Sequence, residues 1–388
     1  MNSSLQQAVD LMEAFASRTG LIPGRPPRRY LWTDAFAVCN FLELARLTGE
    51  ERYRDLALQL VDQVHHVLGR FADDDPRQGW ISGLDEDDGE RHPTAGGLRI
   101  GKPLPERAPD EPYDERREWD RDGQYFHYLT RWMHALDQVS RTTHDPRYHR
   151  WACELAITAT RAFVYQPADQ PKPRMVWKMS IDLGRPLVAS MGQHDPLDGF
   201  VTLRQLMASA RQHPELADTV CELEESIAIY RRMLDPEHLA TTDPLGIGGL
   251  MADATRFYQI LPETIPAEDA SLLQGMLESA LAGLPYCLGS GQFEADDEYR
   301  LGFRELGLAI GLHGAVALWE WERTRHRAPA ELRDRIDRLA RLAPVSRQIE
   351  RHWLDPVHRK AKSWQEHRDI NEVMLATALV PEGYLRLR

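Results

Sequence analysis

Carboxylates stand at the start of five of the six most apolar segments of this sequence, and they arrive in company. The groups are Trp32, Thr33 and Asp34; Trp119, Asp120 and Asp122; Gln193, His194, Asp195 and Asp198; Arg304 and Glu305; and Arg368, Asp369 and Glu372. A single Asp at such a place is accounted for by the unpaired N–H groups and the dipole at a helix start. Capping needs only one short polar residue, so it leaves Trp-Asp-Arg-Asp before Tyr125, and Gln-His-Asp before Pro-Leu-Asp198, without a reason. Two carboxylic acids on either side of a reacting bond can divide the work of proton donor and base. Asp122 and Asp198 are expected to form the first such pair, because the longest linkers flank them and a wall that excludes water raises a carboxyl's pKa. Asp34 and Glu305 are the reserves.

Other chemistry-bearing residues accompany them. Trp32, Trp80, Trp119, Tyr125 and Trp177 offer flat apolar faces, although Trp also serves to anchor loops. Lys102, Lys178 and Arg304 are cations that suit an anionic group or, equally, neighbouring Asp and Glu. His194 beside Asp195 and His313 inside an apolar segment are candidate proton carriers, and His313 could equally be a satisfied core residue. His65-His66 reads as surface or packing.

These residues need elements to position them, and the pattern is helical. Tyr53, Leu56, Ala57, Leu60, Val61, Val64 and Leu68 recur at the three-and-four spacing of a helix wet on one side. Six segments of this kind are expected near 5–17, 51–70, 146–164, 215–233, 268–285 and 331–352. Between them lie six segments apolar on nearly every face, opening near Asp34, Asp122, Asp198, Ile247, Phe303 and Asp369, and helices of that kind are enclosed. The two kinds alternate along the whole chain. Arg46, Thr48, Arg52, Tyr53, Ala57 and Leu60 return as Arg141, Thr143, Arg147, Tyr148, Ala152 and Leu155 at a constant offset of 95 residues, so one turn design is used twice. Strand signals are sparse, with room for short hairpins at 79–119 and 165–197. Alternation without a sheet favours a closed ring of six hairpins over an open stack with two exposed ends.

The alternation, the Tyr-Leu-Trp-Thr-Asp34-Ala-Phe opening and the Leu-Thr-Gly-Glu-Glu-Arg-Tyr53 turn resemble the six-hairpin glycosidase-like superfamily. The Trp-Asp-Arg-Asp122, Met-Gly-Gln-His-Asp195-Pro-Leu-Asp198 and His-Arg-Asp369-Ile-Asn-Glu372 stretches are similar to those of its uncharacterised bacterial members. The resemblance implies an all-α (α/α)6 toroid, one domain over 1–388, with loops entering the inner helices gathered on one rim. It implies a carbohydrate-active enzyme, a glycoside hydrolase first, whose paired carboxylates protonate the leaving oxygen and activate water or attack. On that reading Trp32, Trp80, Lys102, Asp120, Tyr125, Trp177, Lys178, Gln193, His194, Asp195, Arg304, His313 and Asp369 line the substrate site. The alternatives are an epimerase, isomerase or polysaccharide lyase using His194, His313 or Tyr125, and a binding barrel without turnover. The 71–121 loop, with Gly96-Gly-Leu-Arg-Ile-Gly-Lys102, is expected to form a site wall.

Composition narrows the partners. The chain carries 47 Lys and Arg against 60 Asp and Glu, a net charge of −13 spread along its length, which disfavours nucleic acid and anionic lipid. The ligand that the resemblance implies is a small molecule or oligosaccharide, with the oligomeric state left open. The N-terminus has no secretory pattern and no stretch is long enough for a membrane span, so a cytoplasmic location is expected. Cys39, Cys153, Cys221 and Cys287 lie apart in apolar helical patterns and write neither a disulfide framework nor a zinc site. Asp85-Glu-Asp-Asp-Gly89 departs from a calcium loop in its glycine position and lacks the closing Glu, so an acidic turn is expected. Gly246-Ile-Gly-Gly249 follows no strand and reads as a helix entry. No cofactor and no metal is expected.

Overall fold

The structure is a computed structural model that describes residues 3–211 and 217–387. Helix dominates and the expected alternation is present. Outer helices are α1 (Ser3–Arg18), α3 (Glu51–Leu68), α7 (Pro146–Phe163), α9 (Ala217–Met233) and α11 (Ala267–Leu288), followed by α13 (Ala330–Ala340) with α14 (Ala343–Leu354). Enclosed helices are α2 (Leu31–Thr48), α6 (Phe126–Thr143), α8 (Asp195–Ala210), α10 (Pro244–Ile260), α12 (Gly302–Arg325) and α16 (Arg368–Leu379). Short helices α4 (Glu86–Arg91), α5 (Glu115–Asp120), α15 (Lys362–Glu366) and α17 (Glu382–Leu385) lie in the connections. Positions 215 and 216 of the expected 215–233 helix fall outside the described residues.

Burial separates the two kinds of helix as the side-chain pattern requires. Every residue of α2 from Leu31 to Leu44 is buried, whereas α3 buries Tyr53, Ala57, Leu60, Val61, Val64, His65 and Leu68 and leaves Asp55 in solvent. The chain divides into two compact units. In Ala16–Leu234, α2 packs on α6 and α6 on α8, with α3, α7 and α9 outside. In Asp235–Leu387, joined by the first helix as far as Phe15, α10 packs on α12 and α12 on α16, with α11, α13 and α14 outside.

Two differences from the sequence pattern have local causes. The expected helix 331–352 is broken between α13 and α14, where Pro344 occupies the first turn of α14 and cannot continue the preceding hydrogen-bond ladder. The enclosed helix expected to open at Asp122 starts four residues later, because Gly123 has φ +145° and Gln124–Tyr125 (β1) pairs with Lys178–Met179 (β4). Pro186–Val188 (β5) adds a third strand, and Val164–Tyr165 (β2) pairs with Arg174–Met175 (β3), so the expected short hairpins lie in 165–197. Among the described residues, 79–119 carries α4, most of α5 and isolated bridges instead.

The repeated turn is the same object twice. Thr48 Oγ1 donates to Leu44 O at 2.7 Å and accepts from Glu50 N–H, while Thr143 Oγ1 donates to Val139 O at 2.8 Å and accepts from Asp145 N–H. Gly49 and His144 both terminate their helices in the left-handed region, at φ 74° and 59°. Arg52 and Arg147 then reach back to Glu50 and Asp145 and lie over Tyr53 and Tyr148.

Gly246-Ile-Gly-Gly249 is the entry of α10, capped by Asp243, whose carboxylate accepts Gly246 N–H at 3.0 Å. The glycines also allow close packing, since a Cβ on Gly248 would collide with the Gly307 carbonyl of α12. Asp85 caps α4, and Gly89 of the same acidic run lies flat against Trp80. No helix among the described residues is long and apolar enough to cross a membrane.

Candidate active site

The unit Ala16–Leu234 gathers most of the candidates around the starts of α2, α6 and α8. The strand pairing of β1 with β4 aims Gln124 into the 71–121 loop. Gln124 Oε1 accepts Leu98 N–H at 2.8 Å, while its Nε2 donates to Gly96 O and Ile181 O. Gly97, at φ +75°, leaves no room for a Cβ against that amide, so the glycines of this loop serve its folding onto Gln124.

Three carboxylates are buried and paired. Asp122 receives Arg99 Nη1 at 2.5 Å and the N–H groups of Gly101 and Gly123 at 3.0 Å. Asp198 receives Arg131 Nη1 at 2.5 Å and Thr130 Oγ1 at 2.6 Å, both from α6. Asp34 lies 3.5 Å from Arg29 Nη1 and turns back to accept Tyr30 N–H at 2.9 Å, which satisfies the residue that caps its own helix.

Asp195 differs from these three. It is buried in the first turn of α8, and its Oδ2 has no hydrogen-bond partner. Burial, with the Asp198 charge three residues on, pushes its carboxyl up to about 7. Gly192 closes over it, for a Cβ there would strike Asp195 Oδ2.

Aromatic rings form a continuous wall beside these acids. Tyr30 and Tyr128 share a 2.6 Å hydroxyl hydrogen bond, and Trp32 meets Tyr128 and His127 at ring distances of 5.4 and 5.9 Å. Tyr125 stacks on Trp177 at 5.1 Å, and His127 lies parallel to Trp177, 8° apart at 6.0 Å. Tyr30, His127, Tyr128 and Trp177 are partly exposed, so the wall has an accessible side. Burial and the Arg131 charge bring the His127 imidazole down to about 4, which leaves it neutral at pH 7, and its buried Nδ1 has no partner. Trp32 Nε1 is likewise buried and unpartnered.

Cations complete the group. The three protons of the Lys178 ammonium are taken by Glu118 O, Glu118 Oε1 and Arg121 O at 2.8 to 2.9 Å, so this residue supports the wall from behind. Lys102 is partly exposed, donates to the Trp119 carbonyl and lies 5.7 Å from the Tyr125 ring centre. Burial and the Lys178 charge lower its pKa. Trp119 is exposed and meets Trp177 edge-on at 5.0 Å; Asp120 and Gln193 are exposed and His194 is partly so. Trp80 stands apart, buried against His66 and Arg70 beside a cavity of about 90 Å³ at α3.

The remaining candidates belong to the other unit. Glu305 is buried, with Arg300 on both oxygens at 2.9 and 2.7 Å and Trp353 Nε1 at 2.9 Å. Arg304 pairs with Asp243 at 2.7 Å, His313 meets Glu350 of α14 at 2.5 Å, and Asp369 lies in the first turn of α16.

No protein-family model matches the sequence, and none of the curated proteins matches it. Solved structures do. A family 76 glycoside hydrolase from a bovine Bacteroides thetaiotaomicron strain superposes with TM-score 0.51 at 12% identity, covering 100% of this chain and 78% of that one. A D-mannose isomerase superposes with TM-score 0.50 at 10% identity, covering 98% of each chain. This chain has the six-hairpin (α/α)6 barrel fold.

Within this barrel, His127, Tyr128, Arg131 and Tyr30 join the group although they are not among the residues expected from the sequence. The signal was available. Tyr125-Phe-His-Tyr128 is an aromatic run at a helix entry, and His127 with Arg131 is an i, i+4 pair on one face. Placing the helix start at Asp122 displaced that face by one turn.

Proposed function

We propose that this six-hairpin barrel is a carbohydrate-active enzyme, and that its reaction is hydrolysis of a glycosidic bond with Asp195 as proton donor. The single observation that carries this reading is the state of Asp195: a carboxyl raised to about 7, with one oxygen unpartnered, next to a second carboxylate that Arg131 and Thr130 hold in place. Neighbouring carboxyl groups whose surroundings separate their acidities are what an acid and its partner require. Asp198 and Asp122 are the candidates for the partner role, and the wall of Trp32, Tyr125, Tyr128 and Trp177 suits the apolar face of a sugar ring. The fold likeness to a family 76 glycoside hydrolase supports the reading at the level of architecture.

His127 favours a second reading. A neutral, partly exposed imidazole could move a proton beside a sugar carbonyl, as isomerisation requires, and one fold neighbour is a D-mannose isomerase.

The test is a panel of aryl glycosides, manno-oligosaccharides and free aldoses incubated in D2O. Release of a reducing end without deuterium incorporation, lost in Asp195→Asn, supports hydrolysis. Deuterium in recovered sugar, lost in His127→Asn while Asp195→Asn retains it, supports isomerisation. Full turnover in both variants refutes the assignment of this site.

A further inference from the structure

A second cluster lies in the unit Asp235–Leu387 and takes no part in the reading above. Asp297 comes from the 3-10 turn Asp297–Tyr299 ahead of α12, His352 from the last turn of α14, and His358 from the 3-10 turn His358–Lys360 that follows. His352 Nε2 stands 2.8 Å from Asp297 Oδ1, and His358 Nδ1 stands 2.6 Å from Oδ2. The two imidazoles are stacked, with centres 3.7 Å apart and planes at 21°. One nitrogen from each ring and one carboxylate oxygen therefore lie within 4.8 Å of one another, and all three residues are partly exposed.

We propose that Asp297, His352 and His358 bind a divalent first-row transition metal of the zinc type. Two imidazoles with one carboxylate suit such ions and disfavour magnesium and calcium, which take oxygen ligands. Ligand bonds of about 2.0 to 2.2 Å around a tetrahedral ion place donor atoms about 3.3 Å apart. The observed separations of 2.8 and 2.6 Å would have to open by about 0.5 to 1 Å to reach that geometry, a shift within the reach of side-chain rotation.

The surroundings fit an ion with an open coordination position. A cavity of about 260 Å³ adjoins His352, lined also by Phe293, Glu294, Arg300 and Gln348. Arg300 Nη1 is 4.0 Å from Asp297 Oδ1, while its Nε and Nη2 pair with the two oxygens of Glu305. The metal would tie three chain segments together, and ligand protons would leave as it binds.

The experiment uses the full chain without an affinity tag, stripped with a chelator and titrated calorimetrically with ZnCl2, with MgCl2 as control. The proposal expects one zinc per chain, no magnesium binding, and affinity at least tenfold weaker in His358→Ala and in Asp297→Asn. Should the variants fail to fold, CoCl2 added to the unaltered protein gives a readout of its own, a visible band distinct from that of aqueous cobalt. Absence of stoichiometric zinc binding, affinity within twofold in both folded variants, or a cobalt spectrum identical to the free ion overturns it.

Discussion

Helices α6 and α8 carry two buried polar clusters separated by about two helical turns, and the clusters have opposite characters. Near the helix starts, Arg131 and Thr130 hold Asp198, while Asp195 Oδ2 and His127 Nδ1 are left without partners. Seven residues along each helix, Gln205 Nε2 and Arg141 Nε reach Asp137 Oδ2 at 2.7 and 2.8 Å, His149 Nδ1 reaches Oδ1 at 3.0 Å, and Cys153 Sγ lies 3.3 Å from His149 Nε2. In residue types alone, the second cluster resembles a nucleophile, base and orienting acid. Its acid and base are fully enclosed, and burial, with the Asp137 charge, pushes the Cys153 thiol far above its usual range. A thiol in that state neither attacks nor ionises. Satisfied valences mark the cluster that holds the helices together, and on the proposed reading the unsatisfied ones mark the cluster that serves the reaction.

The sharpest way to break this contrast is Asp195→Asn, expected to lower kcat by about 10²- to 10⁴-fold without loss of thermal stability at neutral pH. A comparable loss of kcat in Cys153→Ala would reverse the assignment of the two clusters. Next in size is Asp137→Asn, which weakens the buried ion pairs with Arg141 and His149. It is expected to cost about 3 to 5 kcal/mol in denaturant unfolding, with the activity of the folded fraction kept.

The two acids also differ in the sign of their pH dependence. Asp195 is raised on folding, so the stability it contributes is complete below about pH 4 and is lost as the pH climbs to about 7. Burial pulls Asp137 upward too, but Arg141, His149 and Gln205 outweigh it and hold the carboxyl below its usual range. Its contribution is present above about pH 4 and disappears on acidification. Melting curves between pH 3 and 8 should therefore flatten on the alkaline side in Asp195→Asn and on the acid side in Asp137→Asn, where Asp75, Asp182 and Asp297 keep part of the acid limb. The smallest expected effect is chemical: Cys153 should resist iodoacetamide in the native protein at pH 8, where exposed Cys221 reacts, as mass spectrometry of the alkylated chain would show.

The architecture was legible because helical periodicity is a local property, and enclosed segments such as Ala35–Leu44 differ from one-sided ones such as Tyr53–Leu68 at a glance. The carboxylates at the helix starts were legible for the same reason. Their partners were not, since Arg99 meets Asp122, and Arg131 meets Asp198, across 23 and 67 residues. Asp195 could be named as polar, but its raised pKa depends on burial first and then on the Asp198 charge, and the burial is something no spacing encodes. The Asp297, His352 and His358 group is hidden more deeply, because 55 residues and two turns separate its acid from its first imidazole.

The turn that appears after both α2 and α6 settles its own geometry within about ten residues, through contacts that ask nothing of distant chain. Such a corner can form early and independently, leaving each pair of coils with its direction fixed before neighbours arrive. Loops at the opposite ends of the coils are then at liberty to diverge, because the reversal of the chain never depended on them.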